Sequence, residues 1–526
     1  MSWDYLIVGA GSAGCVLADR LSADGESTVL LLEAGGPDTA PDIHVPARFT
    51  DLFHTEIDWA YETLPQPGLN GRREYVPRGK VYGGTSSINA MVYARGHPSD
   101  YDRWAEAGNA GWRYEELLPL FRDMQCQGRG ASEHHGVDGP LHVSDPRDPN
   151  PLSLAFVEAA GQIGQPLRDD FNAGVQEGFG VYQTTTRDGR RWSAADAFLR
   201  PALARANLEA SPWSLVTELL FEGRRCVGLR FERDGETREA FARREVILCG
   251  GAINSPQLLL LSGIGPPEQL KACGIPLRHA LPGVGRNLMD HVQVPVAWHC
   301  REPVSLVAKE DPEQLELYQR ERRGLLSSNL GEAGGFVRLD PASPAPELQY
   351  HFGPGWFIRH GFGDPPGHGF TALTGLVATQ SIGALKLDPE CPQGPPLIDL
   401  ACLTDERDLQ VLLAGVRLAR KIVAAPAFDR YRGEEFLPGE EVEDDAGLRL
   451  FLRDFATTIY HPVGSCKMSQ DVLAVVDERL RVRGLQGLRV ADASIMPRII
   501  NANTNAPCMM IGAKAAAMIR QEGGGP

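Results

Sequence analysis

The sequence predicts an α/β fold, and three successive segments near the amino terminus support that prediction. Residues 4–8 form a short apolar run, typical of a buried strand, that leads into a glycine-rich turn. Residues 15–21 carry apolar side chains at helical spacing, and residues 28–32 are a second apolar strand. A strand, a helix and a strand within about thirty residues make a βαβ unit.

The turn in this unit has the pattern GxGxxG, and each of its glycines has a mechanical reason. Gly9 permits the tight turn off the strand, Gly11 lets a pyrophosphate approach the backbone, and Gly14 lets the helix pack closely on the sheet. The amino end of the helix offers free N–H groups to phosphates. Glu33 ends the second strand, where a carboxylate suits ribose hydroxyls and repels a 2′-phosphate. The βαβ unit predicts dinucleotide binding. The motif alone does not separate NAD from FAD, and its position at the amino terminus modestly favours FAD.

Composition narrows the class of protein. The chain of 526 residues has a mass of 57.2 kDa, which corresponds to about two to four domains. Hydrophobic residues make up 43% and charged residues 23%, an ordinary globular composition that argues against disorder. The net charge of −16 argues against nucleic-acid binding, which needs a surplus of Lys and Arg.

Cysteine spacing and terminal sequence predict the compartment. The 10 cysteines are scattered and form no CxxC pair, so we expect free thiols in a reducing compartment and no metal site. No basic stretch or cleavage site precedes the first strand, which predicts a cytoplasmic protein. The uncharged run at 246–267 is interrupted by glycines and polar residues, so we do not expect it to span a membrane.

Three further segments carry a resemblance to a known family. The first is RGKVYGGTSSINAM at 78–91, and the second is GAINSPQLLLLSGIGP at 251–266. The third combines YHPVGSCKM at 460–468 with VADAS at 490–494 and NANTNAP at 501–507. Together they closely resemble the glucose–methanol–choline (GMC) family of FAD-dependent alcohol oxidoreductases over essentially the whole chain. The first two look like the two signature patterns of that family, and the sequence looks closest to its bacterial choline dehydrogenase and aliphatic alcohol dehydrogenase branch.

The resemblance implies two interleaved domains: a Rossmann-like FAD-binding domain of α/β type and an α+β substrate-binding domain built on an antiparallel sheet. Two apolar segments are consistent with it, because residues 245–248 and 488–491 are predicted to be further strands of the first domain. The implied FAD-binding domain consists of residues 1–147, 192–297 and 458–526, and the substrate-binding domain of residues 148–191 and 298–457.

The resemblance also assigns residues to the cofactor. Segment 84–91 should cover the flavin, with Ala90 near its reactive N5 atom, and the glycines around it should let the loop lie flat against a ring system. Some choline-oxidising relatives attach the flavin through a histidine at the position of Ile88, and isoleucine cannot do so. We therefore expect non-covalent FAD. The expected contacts are Gly9, Gly11, Ser12, Ala13, Gly14, Glu33, Ala34, Trp59, Gly79, Gly83, Gly84, Thr85, Ser87, Asn89, Ala90, Met91, Val92, Val216, Tyr460, Asp492, Ala493, Thr504 and Asn505, with Trp59 and Val216 on the adenine side.

Alcohol oxidation requires a base near the hydroxyl group, and histidine is the natural choice. Among the 13 histidines the resemblance places His461 as that base. In the family this position holds histidine or asparagine and hydrogen-bonds the substrate oxygen, so the resemblance implies that role for Asn503. An amide cannot act as a base, which leaves His461 as the only one of the pair that can; taken alone, Asn503 is better interpreted as a turn residue. We expect His291 to be structural. His351 could line a pocket, although a strand position is the favoured interpretation.

A helix is predicted at 507–520, with Asn505 as its N-cap and a proline in its first turn. Its amino end should direct N–H groups toward the neighbourhood of Asn503. The positive end of the helix dipole there would stabilise the negative charge of a reduced flavin.

These residues predict FAD-dependent oxidation of a primary alcohol to the aldehyde, by hydride transfer to flavin N5 with His461 as base and a quinone-type electron acceptor. The alternatives are an alcohol oxidase that uses dioxygen, a choline dehydrogenase, and a non-redox, FAD-containing hydroxynitrile lyase. We expect Tyr350, Phe352 and Trp356 to form an apolar substrate pocket, because no acid stands among them. Peripheral association with the inner membrane stays open, since some similar dehydrogenases feed respiratory chains.

Overall fold

The computed structural model of the protein describes residues 2–363 and 365–523. The predicted βαβ unit is present: strand Ser2–Val8 is followed by helix Ser12–Ser22 and by the fully buried strand Val29–Leu32. The two strands lie parallel in a seven-stranded sheet, here called the first sheet. Its spatial order is Leu208–Ser211, Val29–Leu32, Ser2–Val8, Glu236–Leu248, Arg225–Arg233 and Leu215–Glu222, with Leu488–Val490 paired to Glu236–Leu248.

One long strand joins the two halves of the first sheet. The first part of Glu236–Leu248 is antiparallel to Arg225–Arg233, whereas its last residues run parallel between Ser2–Val8 and Leu488–Val490. Strand Val29–Leu32 and the adjacent residues 5–7 and 246–248 of its parallel neighbours are buried on both faces, which is why these stretches are continuously apolar. Their carboxyl ends meet at one edge, the place where open α/β sheets bind ligands.

A second seven-stranded sheet, here called the second sheet, is antiparallel throughout. The predicted domain boundary at residue 297 cuts through its strand Val292–Cys300, all of whose partners belong to this sheet, so pairing moves the boundary to before Val292. The sequence could not show this, because the pairing partners are distant in the chain. The order is Arg432–Leu437, Val292–Cys300, Gly369–Leu376, Leu348–Gly353, Ala333–Val337 and Gly178–Val181, with Thr457–Thr458 paired to Val292–Cys300.

Helices cover both sheets, and two glycines permit close packing. A Cβ at Gly512 of the carboxyl-terminal helix would lie 2.5 Å from the carbonyl oxygen of Ala13, so this helix crosses helix Ser12–Ser22 at short range. A Cβ at Gly415 would lie 2.3 Å from Thr374 of the second sheet. Within the described ranges no helix is both long and apolar enough to cross a bilayer. The α-helices are Ser12–Ser22, Pro98–Glu106, Tyr114–Met124, Pro151–Gln162, Arg200–Ala202, Gly251–Leu261, Pro267–Ala272, Pro312–Glu321, Glu406–Val423, Asp445–Phe455 and Asn505–Gly523.

Short strands form smaller sheets around the two large ones. The three-stranded sheet has the order Arg286–Leu288, Gly383–Lys386 and Leu397–Asp399, and the others are pairs. The pairs are Tyr61–Glu62 with Tyr75–Val76, Gln125–Gln127 with Leu141–Val143, Thr186–Arg187 with Arg190–Arg191, and Ile264–Gly265 with His279–Ala280.

Candidate active site

A cavity of about 460 Å³ extends from the carboxyl edge of the first sheet to the second sheet. We call the part lined by the amino-terminal glycine turn its glycine end, and the part lined by His461 and Asn503 its histidine end. Among the predicted cofactor residues, all except Gly14, Gly83 and Ser87 line this cavity. The fold therefore brings together side chains that the sequence separates by several hundred positions.

The three glycines of the amino-terminal turn have different roles in the structure. An added Cβ at Gly9, where φ is +100°, would lie 2.6 Å from the carbonyl oxygen of Cys249. One at Gly14 would lie 1.9 Å from the carbonyl oxygen of Gly9. The Cβ of a residue in place of Gly11 would meet no protein atom nearer than 4.0 Å. Gly9 and Gly14 are thus required by packing, whereas Gly11 keeps the cavity wall open, as the approach of a pyrophosphate demands.

The carboxylate of Glu33 links the amino-terminal glycine turn to the residues that follow the second strand. Its carboxylate oxygens accept hydrogen bonds from the backbone N–H groups of Ala10, at 2.8 Å, and Gly35, at 2.9 Å. Burial raises the pKa of Glu33 to about 7, and the two N–H donors oppose that rise. Each carboxylate oxygen has a second lone pair, so Glu33 can hold the loops and still accept a ribose hydroxyl.

Backbone packing is the main reason for the glycines at 79–84. A Cβ at Gly84 would lie 2.7 Å from the Cα of Gly11, and one at Gly79 would lie 2.2 Å from the carbonyl carbon of Gly84. Gly83 and Ser87 lie beneath the cavity lining, where the Ser87 hydroxyl donates to the carbonyl oxygen of Tyr82 at 2.7 Å. The structure places Gly14, Gly83 and Ser87 outside the residues that line the cavity, and their contact with the cofactor stays a prediction.

A buried arginine that the sequence analysis missed holds the segment that should cover the flavin. Arg191 is 1% exposed and donates to the Asn89 side chain at 2.8 Å and to the Ser86 carbonyl oxygen at 3.1 Å. Burial lowers its pKa to about 9. Asn89 also accepts from the backbone N–H of Met91 at 3.0 Å, so the orientation of this cavity-lining amide is fixed from two sides.

Aromatic and acidic groups complete the glycine end. Trp59 stacks on Tyr61 with ring centroids 5.7 Å apart, and Val216 lines the same cavity. Asp492 accepts hydrogen bonds from the backbone N–H of Gly251 at 2.9 Å and from the Ser255 hydroxyl at 2.6 Å. These donors lie in the first residues of helix Gly251–Leu261, so the carboxylate sits where the positive end of the helix dipole stabilises it.

At the histidine end the structure brings the predicted catalytic pair together. Nε2 of His461 lies 3.5 Å from Nδ2 of Asn503, which also lies 3.3 Å from Nε2 of His351. Oδ1 of Asn503 accepts a hydrogen bond from Nε2 of Gln349 at 2.8 Å. Because Gln349 occupies the amide oxygen, the amide NH₂ of Asn503 is directed at the two imidazoles.

The other side of His461 is held by residues that follow the Asn-Leu-Met sequence at 287–289. Nδ1 of His461 lies 3.0 Å from Nδ1 of His291, and the backbone N–H groups of both residues donate to Asp290 at 2.8 Å. His291 was expected to be structural, and no local sequence signal links it to a residue 170 positions away. His351 lies on strand Leu348–Gly353 and also lines the cavity, so both of its sequence interpretations apply.

Burial keeps these imidazoles neutral near pH 7. It lowers the pKa of His461 well below its usual value, and the positive charge of the nearby Arg78 adds to that effect. Burial also lowers the pKa of His291 to about 3 and that of His351 to about 4. A neutral imidazole inside a cavity can accept a proton from a bound hydroxyl group.

The predicted apolar pocket of Tyr350, Phe352 and Trp356 is wrong in its residues. Tyr350 and Phe352 point to the face of the strand opposite His351, where the Tyr350 hydroxyl donates to the carbonyl oxygen of Gly415 at 2.7 Å and Phe352 stacks on Phe156. Trp356 instead donates through its indole N–H to the carbonyl oxygen of Gly367 at 2.8 Å. The apolar wall of the histidine end is formed by Phe49, Phe53, Leu330, Phe357, Leu373, Ile459 and Tyr460.

The helix that follows Asn503 begins earlier than predicted, at Asn505. Asn505 is therefore its first residue, and its Oδ1 accepts a hydrogen bond from the Ser12 hydroxyl at 2.7 Å. Thr504 and Asn505 line the cavity beside Ser12 and Ala13. The amino ends of the first and last helices thus face the cavity together.

The glycine turn, the acid after the second strand and the buried imidazoles in one cavity define a dinucleotide-dependent oxidoreductase. The chain belongs to the GMC oxidoreductase family: residues 3–293 match the amino-terminal family model, and residues 379–512 match the carboxyl-terminal one. It is an FAD-dependent enzyme of the choline dehydrogenase branch with a mixed α/β, two-domain fold. When bound, FAD supplies a ring system that accepts a hydride.

Similar proteins include choline dehydrogenase, mitochondrial, of Homo sapiens, which is 45% identical over 98% of this chain and 90% of that protein. "Alcohol dehydrogenase [acceptor]" of Pseudomonas putida is 43% identical over 98% of this chain and 95% of that protein. Among solved structures, pyridoxine 4-oxidase from "Mesorbium loti" superposes with a TM-score of 0.91 at 34% identity and covers 99% of both chains.

Proposed function

We propose that this enzyme oxidises a neutral primary alcohol to the aldehyde, with His461 as the base, and passes the electrons to a quinone-type acceptor. The observation that carries the proposal is the neutral, buried imidazole of His461, which faces the amide NH₂ of Asn503 in a cavity continuous with the dinucleotide cradle. The similarity to a protein named alcohol dehydrogenase [acceptor] supports the same reaction class.

Each group at the histidine end has a defined part in this proposal. Nε2 of His461 takes the hydroxyl proton, and the hydride that leaves the carbinol carbon would be accepted by the ring system that bound FAD supplies, so the aldehyde forms with atoms and charge balanced. Nδ2 of Asn503 donates to the alcohol oxygen and stabilises its developing negative charge. Gln349, at 2.8 Å from Oδ1 of Asn503, keeps that amide turned toward the substrate position.

The charges that line the cavity favour a neutral substrate over a quaternary ammonium ion. Among the described lining residues the carboxylates are Glu33 and Asp492, and both lie at the glycine end. The histidine end carries the amide of Gln293 and the guanidinium of Arg78. A cation placed there would lack a carboxylate partner, whereas the hydroxyl and chain of a neutral alcohol match the amides and apolar rings.

Choline is the second candidate substrate, and one observation favours it. The phenyl rings of Phe49, Phe53 and Phe357 and the phenol of Tyr460 line the histidine end, and aromatic faces attract quaternary ammonium groups. The similar human protein is named choline dehydrogenase. A direct comparison of substrates separates the two candidates.

Anaerobic spectra of the purified holoenzyme with a panel of alcohols test the proposal. Loss of the yellow flavin absorbance on addition of a medium-chain primary alcohol is the expected result. A flavin that stays oxidised with every alcohol, including choline, would instead favour the lyase, and cyanohydrin cleavage without bleaching would establish it. Stoichiometric hydrogen peroxide at the full dye-coupled rate would replace the quinone-type acceptor by dioxygen.

We also propose a cytoplasmic location with peripheral contact at the inner membrane as the alternative. A quinone-type acceptor would be reached at a membrane surface, which is the reason for keeping that alternative. Fractionation of cells that produce the protein tests it: recovery in the soluble fraction at low salt supports the cytoplasmic location, and recovery with membranes supports the alternative.

A further inference from the structure

A buried chain of polar groups connects the wall of the histidine end to a carboxylate outside the cavity. The Tyr460 hydroxyl lies 2.7 Å from Nδ1 of His360, and Nε2 of His360 lies 3.6 Å from Oε2 of Glu74. His360 is 7% exposed and Glu74 is 1% exposed. Among these residues, Tyr460 lines the cavity and immediately precedes His461.

The two contacts of His360 differ in kind. Nδ1 of His360 lies 2.7 Å from the Tyr460 hydroxyl and can accept a hydrogen bond from it. Nε2 of His360 lies 3.6 Å from Oε2 of Glu74, which is longer than a hydrogen bond, so these two groups make a polar contact. Burial raises the pKa of Tyr460 well above its usual value, and the nearby Tyr75 and Glu74 add to that rise, so the phenol keeps the proton it donates.

The backbone at both ends of the Tyr460–His360 contact is held in an unusual conformation. Tyr460 has a φ of +67° and His360 a φ of +66°, in the left-handed region that residues with a Cβ rarely adopt. Tyr460 is fixed further by its N–H, which donates to the Thr458 hydroxyl at 2.7 Å, and by its carbonyl oxygen, which accepts from Arg78. Such backbone persists where surrounding contacts enforce it and is concentrated at functional sites.

The phenol ring of Tyr460 contacts the apolar wall of the cavity. Tyr460 packs edge-on against Phe53, with ring centroids 5.8 Å apart. Phe357, three positions before His360, lines the same cavity. The contact between Tyr460 and His360 therefore joins the segment of the proposed base to the segment that carries another part of the wall.

We propose that Glu74 and His360 are positioning residues that set the substrate range of the enzyme by fixing the phenol of Tyr460. This inference rests on the proposed alcohol oxidation, since it concerns the shape of the same cavity. Without the bond to His360 the buried hydroxyl would lack its partner, and the ring would turn or admit water. The space for the alkyl chain of the alcohol would change, while His461 and Asn503 would stay in place.

A double-mutant cycle over Tyr460→Phe and Glu74→Gln tests the inference. For each holoenzyme we would measure flavin reduction with n-alkanols of increasing length, and the Kd of a non-oxidisable fluorinated alcohol from its effect on the flavin spectrum. Each single substitution should raise KM and Kd for the longest accepted alcohol about five- to tenfold, the effect of losing one hydrogen bond. For short alcohols the kcat of Glu74→Gln, which lies outside the cavity lining, should stay within about twofold of the wild-type value.

The double variant decides whether Glu74 acts through Tyr460. If it does, Glu74→Gln should add less than about twofold once the Tyr460 hydroxyl is gone, because interacting groups are non-additive. Effects that multiply in the double variant would overturn the inference. Wild-type flavin that no alcohol reduces would instead refute the proposed function, so the two failures are distinguishable.

Two further variants test whether Glu74 and His360 act through the Tyr460 phenol or only support the local structure. Arg72 also pairs with Glu74, so Arg72→Gln removes that ion pair and leaves the contact with His360. It should keep the wild-type preference for chain length, and a shift equal to that of Glu74→Gln would contradict the inference. His360→Asn retains a hydrogen-bond acceptor and tolerates left-handed backbone. This variant should bind FAD and preserve the wild-type preference for alcohol chain length better than Tyr460→Phe does. The reverse order would contradict the inference.

Discussion

Nδ1 of His461 lies 3.0 Å from Nδ1 of His291, so the two imidazoles share one N–H···N hydrogen bond. On the opposite side, Nε2 of His461 faces the NH₂ of Asn503, which is a donor. Nε2 of His461 is therefore the unprotonated nitrogen, and its Nδ1–H donates to His291. This tautomer directs the lone pair of Nε2 of His461 toward the cavity and the amide of Asn503.

The first prediction concerns that lone pair. His461→Ala should slow flavin reduction by about 10²- to 10⁴-fold, because a positioned base contributes about that much. Asn503→Ala should cost about 10²- to 10³-fold, as for the loss of an oxyanion-type donor. Stopped-flow measurement with the best alcohol checks both, and the FAD content of each variant should equal that of the wild type.

His142→Ala is the matched control for these variants, because His142 packs on Trp192 and is not among the described residues that line the cavity. It should reduce its flavin at the wild-type rate. Near wild-type reduction by His461→Ala would show that another group is the base.

The second prediction is the pH dependence of flavin reduction. The base works in its neutral form, whose fraction rises as pH rises through the pKa of His461. Burial and nearby positive charge lower that pKa well below 6.5. The rate should therefore be independent of pH above about 7 and should fall only on the acidic side of the usual histidine value. A rate that still rises between pH 7 and pH 9 would contradict this assignment.

The third prediction is that FAD is held without a covalent bond. Ile88 lines the cavity in the segment that should cover the flavin, and its side chain offers no nucleophile. Acid precipitation of the holoenzyme should leave the yellow colour in the supernatant. Colour that remains in the pellet would require another residue to be attached to the ring.

The fourth prediction separates the roles of the glycines in the amino-terminal turn. Gly11 has a φ of −78°, which any residue can adopt, and a Cβ there would meet no protein atom nearer than 4.0 Å. Gly11→Val should fold but should lose FAD, because the side chain would occupy the cavity. Flavin content and thermal unfolding of the purified variant measure both properties. Gly363→Val, at an exposed position with no atom near the added Cβ, should retain FAD; full retention by Gly11→Val would place the pyrophosphate elsewhere.

The fifth prediction concerns the charge at the histidine end. Gln293 is 2% exposed and lines the cavity, so Gln293→Glu would place a carboxylate there at nearly constant volume. The wild type should prefer a medium-chain alcohol to choline, and the variant should shift the ratio of their kcat/KM values toward choline by about tenfold or more. Gln393→Glu, in the part of the lining next to Gly394, is the matched control. If the wild type prefers choline to the medium-chain alcohol by more than about tenfold, the proposal of a neutral alcohol substrate is overturned.

Local sequence patterns predicted the parts of the fold whose elements are consecutive in the chain. The βαβ unit was predicted because Ser2–Val8, the glycine turn and Val29–Leu32 are consecutive and have clear periodicity. The spacing of glycines in the turn also predicted that a pyrophosphate can approach the backbone at Gly11. The structure shows that a Cβ at Gly11 would meet no protein atom nearer than 4.0 Å. The resemblance to the family supplied His461 and Asn503, which the fold brings within 3.5 Å of each other.

The pattern of the sequence by itself thus determined the dinucleotide cradle, and its resemblance to the family supplied the FAD cofactor and the pair of polar residues proposed for catalysis. Only the tertiary structure decided which side chains surround that pair. Side chains alternate along strand Leu348–Gly353, and the pairing of the sheet turned His351, rather than Tyr350, toward the cavity. The partner of His461 lies 170 residues away, and the contact between Tyr460 and His360 spans 100 residues. Contacts of this kind depend on how distant segments pack, and no periodicity or local motif encodes them.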